Sequence, residues 1–495
     1  MHAPINNNNK IIKSIKWVVI VNWINRLLGF ISIVILARLL TPEAFGIAAI
    51  IMLAIQLTET FTNVGAEQYY IQKEHSTRED LNCAWTTNLI TKTGATIVLA
   101  VLGPFVAYYY DYASLIPALL LASCLPLINA LVNGEIIQYK KDLEYKAFSM
   151  VFLYSKLVSS LVTITLAFIF HSYWALLIGA IFASVANCLL SYMMISDRTQ
   201  FGLLNWRAQF HFSKWVMFKA VVGHLKSKFD TWFAVNISGL AGLGGYHLAK
   251  DLVLFPSREL ISPITGVLFT SIAKAQNYSE DQRSQISKSI AIIALIGFPI
   301  SFGWALIAAP LVELVLGEQW IPYTAVIASL GGLVVIFALG DFFADLMVAV
   351  GKVKQLFYFD TVTLLMAFST LFLFSSSINS LIEMAQIRVF IALLVTFTGL
   401  WWISYLGIIS IKRIFKCIFC PLIVAVIMNQ VTLFVIEDLA FGAFAIFFTT
   451  AITAIIVYFS LILLVLKFDL LGKQESTFFK KILNEGLRQI TSKLH

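Results

Sequence analysis

Charge is scarce in this 495-residue chain: Asp, Glu, Lys and Arg make up 13% of it, against 59% hydrophobic residues and a mean hydropathy of +0.85. No polar stretch approaches the length of a domain, which leaves no room for a soluble catalytic module and points to a polytopic membrane protein. Cysteine is also scarce. Cys83, Cys124, Cys188, Cys417 and Cys420 lie mostly in or beside apolar runs, so no disulfide framework follows. Cys417-x-x-Cys420 lacks the His or further Cys of a metal site. There is no GxxxxGK[ST] loop, hence no built-in ATPase, and no HExxH or nucleophile–base pairing. No catalytic residue, metal or cofactor is therefore assigned, and the chain is read as a non-enzyme. The net charge of +8 does not signal nucleic acid, because the basic residues are spread through short loops.

What is present is a long series of apolar runs. They fall near 15–37, 43–65, 82–107, 114–137, 147–170, 173–196, 213–237, 243–270, 286–309, 323–350, 357–376, 384–410, 415–435 and 440–466, which predicts an all-α protein of fourteen transmembrane helices. The polar, basic opening leads into a run too long for a signal peptide, so it is expected to stay uncleaved and cytoplasmic. Lys and Arg then alternate from loop to loop. About 25 of the 35 basic residues fall in segments on the side of the N-terminus, and the opposite loops are nearly bare of them. Both termini are thus expected inside.

A faint repeat links the two halves: Ser14-Ile-Lys-Trp17 with Ser213-Lys-Trp215, and Gly46-Ile-Ala-Ala49 with Gly245-Tyr-His-Leu-Ala249. It suggests two parallel six-helix units. The expected divisions are an N-lobe at 1–197, a linker at 198–212, a C-lobe at 213–411, two extra helices at 412–467 and a cytoplasmic tail at 468–495.

The charges inside the spans need a reason, because one at a helix centre costs on the order of 2.5–3.5 kcal/mol on insertion scales. Arg26 lies about 16 Å into the first span at 1.5 Å per residue. Asn22, Asn25, Arg26 and Gly29 share its helical stripe. Gln56, Glu59 and Asn63 do the same in the second span. Lys219, Gly223, Lys226 and Asp230 form a stripe in the seventh, with Lys228 nearby, and His247, Asp251, Leu254 and Arg258 form one in the eighth. With Lys92, these predict a wet, net-cationic cavity. Arg38, Lys156 and Arg388 are read as snorkelling to the interface, and Lys250–Asp251 and Arg258–Glu259 as neighbouring ion pairs. Asp341 and Asp345, one turn apart, are candidates for H⁺ or Na⁺ coupling, with Asp230 and Asp251 as further candidates. Pro256 and Pro263 flank Arg258, which suggests a break there.

Leu36-Ala-Arg-Leu-Leu-Thr-Pro-Glu-Ala-Phe-Gly46, the Lys16-Trp17 helix start and Leu243-Gly-Gly-Tyr-His-Leu-Ala249 resemble the Wzx-type polysaccharide transporters of the multidrug/oligosaccharidyl-lipid/polysaccharide (MOP) superfamily, nearest the colanic-acid/O-antigen exporter branch. The resemblance implies an inner-membrane flippase that moves undecaprenyl-diphosphate-linked oligosaccharide to the periplasmic leaflet by alternating access. It also implies service to O-antigen, capsule or exopolysaccharide synthesis, with the polysaccharide polymerase and chain-length regulator as partners. By helix and depth, Arg26 and Arg258 match the family's cavity cations. Arg and Lys suit a diphosphate. A drug or cation antiporter of the same superfamily would favour carboxylates, aromatics and twelve spans. A glycan polymerase or ligase would need a long outer loop, and a peptidoglycan-precursor flippase would share the lipid-carrier chemistry.

Overall fold

A computed structural model describes residues 5–62, 65–73, 75–142, 145–204, 206–265, 280–437, 442–470 and 475–481. The described residues are almost entirely helical and contain no strand. The helices are α1 (Ile5–Leu39), α2 (Pro42–Thr62), α3 (Ala66–Gln72), α4 (Arg78–Tyr109), α5 (Leu115–Ala122), α6 (Cys124–Ala130), α7 (Glu135–Lys141), α8 (Tyr145–Phe170), α9 (Trp174–Met194) and α10 (Trp206–Pro256). They continue with α11 (Glu280–Leu311), α12 (Thr324–Leu330), α13 (Leu333–Ala349), α14 (Val353–Phe374), α15 (Leu381–Tyr405), α16 (Ile411–Glu437) and α17 (Ala443–Lys467).

Ten helical segments among the described residues are long and apolar enough to cross a membrane. Two bent pairs raise this to twelve: Leu115–Ala130 with Glu135–Lys141, and Glu318–Leu330 with Leu333–Ala349. The chain is therefore a polytopic all-α membrane protein, and its described residues hold ten to twelve such segments where fourteen were expected over the whole chain. The two expected spans that α10 covers are missing from the count because they carry Lys219, Lys226, Lys228, Asp230, Lys250 and Asp251.

Helix α10 is not one straight rod. Lys250 Nζ lies 2.7 Å from Asp230 Oδ1, whereas twenty residues of straight helix would hold them about 30 Å apart. The chain reverses at Gly239, whose φ of 62° is a left-handed conformation open to glycine at little cost. Beyond Pro256 the backbone widens into a π-helical turn, Ser257–Ile261, with Ser262 N–H bonding back to the Ser257 carbonyl. The suggested break beside Arg258 is thus a widened turn that remains helical.

Contacts divide the chain into two units, one comprising Met1–Phe229 with Gly239–Gly244 and the other Asp230–Ser238 with Gly245–His495. In the first, α8 packs along both α1 and α9. Helix α4 begins at a capping box: Asp80 N–H donates to Thr77 Oγ1, and Thr77 N–H donates to Asp80 Oδ2 at 2.9 Å. Helix α2 and the 239–244 stretch of α10 meet in this unit. A Cβ on Gly46 would lie 1.9 Å from the Leu240 carbonyl oxygen, and one on Gly244 would lie 1.8 Å from that of Pro42. Only glycine permits this approach of α2 to α10, so the crossing of Gly46 with Gly244 is a packing device.

In the second unit α11 is central, lying against α13, α16 and α17. Helix α15 starts at Ser380, whose hydroxyl accepts from Glu383 N–H at 3.2 Å. The short helix at 475–481 docks through Glu475, which accepts from Ser287 Oγ at 2.6 Å and Arg413 Nε at 3.3 Å.

Candidate functional site

The second unit buries a charged cluster. Asp230 on the first limb of α10 is fully buried. Its Oδ1 accepts from Lys250 Nζ at 2.7 Å and from Thr231 N–H at 2.9 Å. Its Oδ2 accepts from Lys250 Nζ at 2.6 Å, Tyr246 O–H at 2.9 Å and Arg388 Nε at 3.0 Å. The Arg388 guanidinium also lies over the Phe337 ring, 5.2 Å from its centroid. Two cations on one carboxylate keep the ion pair charged, and the hydroxyl and amide donors saturate its remaining lone pairs.

This cluster corrects two expectations. Arg388 does not snorkel: it is 4% exposed, because Asp230 gives it a partner inside the protein. Lys250 pairs with Asp230 across the Gly239 turn, not with its neighbour Asp251. Asp251 instead serves a second group on the same limb. His247 Nε2 lies 3.6 Å from Asp251 Oδ2, and Arg258 Nη1 lies 3.4 Å from Asp251 Oδ1. The expected Arg258–Glu259 pair is thereby also corrected. Helical spacing brings these side chains together, and the π-turn carries Arg258, whose side chain is 55% exposed. His247 and Asp251 are half-buried.

In the first unit Arg26 is half-buried within the apolar part of α1, its guanidinium 5.8 Å from the Trp23 ring centroid. Next to it, Asn25 Oδ1 is buried and accepts no hydrogen bond from the described residues. Such an atom costs about 1–3 kcal/mol unless a ligand or water supplies a donor. Asn22 is exposed. Glu59 of α2 accepts from Asn129 Nδ2 at 3.2 Å, and half-buried Lys92 of α4 lies within the field of Glu59, Glu67 and Lys140. Gln56 is exposed, and Asn63 lies outside the described residues. Lys226 and Lys228 are half-buried and Lys219 is exposed. Asp341 and Asp345 occupy one face of α13, the first exposed and the second half-buried.

Four participants were not among the sequence-derived candidates: Lys250, Arg388, Tyr246 and Asn129. Little signal existed for Arg388, which lies only a few residues inside the apolar run that begins near 384 and so suits a snorkelling role equally well. Tyr246 lies in the repeat motif, and nothing distinguished Asn129.

The fold is similar to that of solved membrane transporters. The solved structure of a lipid II flippase, MurJ, in an inward closed conformation matches with a TM-score of 0.70 at 13% identity, over 94% of this chain and 99% of that one. Residues 35–325 match the model of the polysaccharide biosynthesis protein family, and the chain belongs to that family. Among curated relatives, the lipopolysaccharide biosynthesis protein WzxC of Escherichia coli K12 is 25% identical over 71% of this chain and 72% of its own length. The succinoglycan biosynthesis transport protein ExoT of Rhizobium meliloti is 24% identical over 89% of each. The chain is accordingly a polytopic membrane protein of the polysaccharide biosynthesis family, and one of its relatives is named as a transport protein.

Proposed function

We propose that this protein flips an undecaprenyl-diphosphate-linked oligosaccharide from the cytoplasmic to the periplasmic leaflet of the bacterial inner membrane, by alternating access, for surface polysaccharide assembly. Both termini face the cytoplasm, and the polysaccharide polymerase and chain-length regulator act on the delivered units. The observation that carries this reading is Arg26, a half-buried guanidinium in the apolar part of α1 beside the unsatisfied Asn25 oxygen. A diphosphate is a dianion that a guanidinium grips through paired hydrogen bonds, while lysines such as Lys219, Lys226, Lys228 and Lys92 supply point charge. Arg258 is the corresponding guanidinium of the second unit. Asn22, Asn25, Gln56, Glu59 and His247 suit the hydroxyls of the sugars.

Transport is driven by H⁺ or Na⁺ through Asp341 and Asp345, with Asp251 a further acceptor. The Asp230 carboxylate supports no such role, because internal donors already fill it. The test is export in cells lacking the native gene. Arg26→Ala should abolish surface glycan at unchanged protein level, and Arg26→Lys should restore part of it. Normal surface glycan with Arg26→Ala would overturn the assignment.

A further inference from the structure

A cavity of about 440 Å³ opens in the first unit where the start of α4, helix α7 and the segment after α9 meet. Its volume falls within the roughly 300–1,000 Å³ of small-ligand pockets. Arg78, Glu135, Gln138, Tyr139, Asp142 and Asp197 line it.

The walls are fixed before any ligand arrives. Arg78 Nη2 donates to the Arg198 carbonyl at 2.6 Å and lies 2.7 Å from Glu135 Oε1, on a side chain 2% exposed. The Tyr70 hydroxyl donates to Gln138 Oε1, and Gln138 Nε2 donates to Asp142 Oδ2 at 2.6 Å. Lys141 Nζ ties the backbone together from behind, bonding the carbonyls of Tyr70 and Lys73 and the Ser76 hydroxyl. Two groups stay uncommitted within these walls. Among the described residues, neither the Asp197 carboxylate nor the Tyr139 hydroxyl makes a hydrogen bond. The Asp197 backbone carbonyl is held by Asn133 Nδ2 at 2.8 Å, which fixes the residue's place.

The lining selects among ligands by charge. Three carboxylates face one guanidinium, so a phosphate or a uronic acid is repelled. No group of three His, Cys, Asp or Glu among the described residues could hold a metal ion. Arg78 already pairs with Glu135, and Lys141 stands on the Ser76 hydroxyl of the same wall. These two cations offset most of the acidic lining and leave little to hold an organic cation. What remains is an uncharged ligand rich in hydroxyls, which carboxylates and an amide can accept from and donate to while a half-buried phenol ring offers an apolar face.

We propose that this cavity is a sugar subsite taking one uncharged pyranose unit, with Tyr139 as the stacking face and Gln138, Asp142 and Asp197 as hydroxyl partners. The source of the sugar, the transported glycan, rests on the flippase reading. The subsite itself does not.

The test is saturation-transfer NMR on the purified full chain in lipid nanodiscs, with cellobiose as probe and glucuronate and spermidine as controls. Cellobiose should receive saturation from the wild type and from Arg26→Ala. The signal should fall about fivefold in Asp197→Asn and in Tyr139→Ala, the change expected for one lost hydrogen bond or ring contact. It should survive Tyr139→Phe, which keeps the ring, and glucuronate should show little transfer. No transfer to cellobiose, a signal indifferent to both Asp197→Asn and Tyr139→Ala, or displacement of cellobiose by spermidine would overturn the subsite. Failure of cellobiose binding alongside export-dead Arg26→Ala cells would remove the subsite and leave the flippase. Cellobiose binding alongside normal export in those cells would do the reverse.

Discussion

The Lys250 ammonium bridges both carboxylate oxygens of Asp230, at 2.7 and 2.6 Å, across a helical hairpin that turns at Gly239. Arg388 closes the same carboxylate from α15. A buried ion pair of this kind contributes little net stability when intact, yet removing one member leaves uncompensated charge in an apolar place. It ties the two limbs of α10 to α15 and fixes the direction in which the second limb presents His247, Asp251 and Arg258. The cluster is thus a positioning device for a charged stripe.

Asp230→Asn should therefore lower stability by about 3–5 kcal/mol, since two cations lose their counter-charge. Thermal unfolding of the detergent-solubilised protein checks this. The double variant Asp230→Asn/Lys250→Met should recover part of the loss. Additive losses would show that the two groups do not act as a pair.

Gly244→Ala places a methyl group 1.8 Å from the Pro42 carbonyl oxygen and should destabilise by about 1–3 kcal/mol through forced separation of α2 from α10. Gly223→Ala is the control. Nothing lies within 4 Å of its added Cβ, and the gain in helix propensity should leave the melting temperature level or raise it.

The ion pair at the entrance to α4 has a definite pH signature. The hydrogen bond from Lys73 to Asp80 raises the lysine above its ordinary value of 10.5. A raised folded-state value means that the contribution is complete below the unfolded lysine value and is lost as pH climbs through the raised one. The melting-temperature difference between wild type and Asp80→Asn should stay constant from about pH 6 to about pH 9 and shrink only in stronger alkali. A difference that already fades near neutrality would contradict the assignment.

For coupling, Asp341→Asn and Asp345→Asn should each alter the pH or Na⁺ dependence of transport into proteoliposomes, because carboxylates one turn apart on α13 interact electrostatically. Unaltered dependence in both variants rejects them as coupling groups.

Much of this architecture was legible in the chain. Long apolar runs separated by basic and bare loops predict a polytopic helical bundle, since the bilayer demands internally bonded backbone. The helical stripe that links His247, Asp251 and Arg258 followed from spacing alone, and two of its contacts exist. What stayed hidden depends on tertiary turns. Asp230 and Lys250 lie twenty positions apart, so only the reversal at Gly239 makes them neighbours, and Arg388 reaches them from 158 residues away. Neighbour rules therefore paired Lys250 with Asp251 and sent Arg388 to the interface. Gly46 was visible in the repeat, but its crossing with Gly244 became visible only as backbone-to-backbone distance.

The central claim is that Arg26 engages the diphosphate of a lipid-linked glycan during translocation. Its most direct measurement is flipping in proteoliposomes loaded with undecaprenyl-diphosphate oligosaccharide, read as the fraction of glycan that becomes accessible to a membrane-impermeant glycosidase on the opposite face. Wild-type protein should expose the protected pool, Arg26→Lys should do so slowly, and Arg26→Ala should match protein-free liposomes. Wild-type rates from Arg26→Ala, or no flipping by the wild type, would contradict the claim.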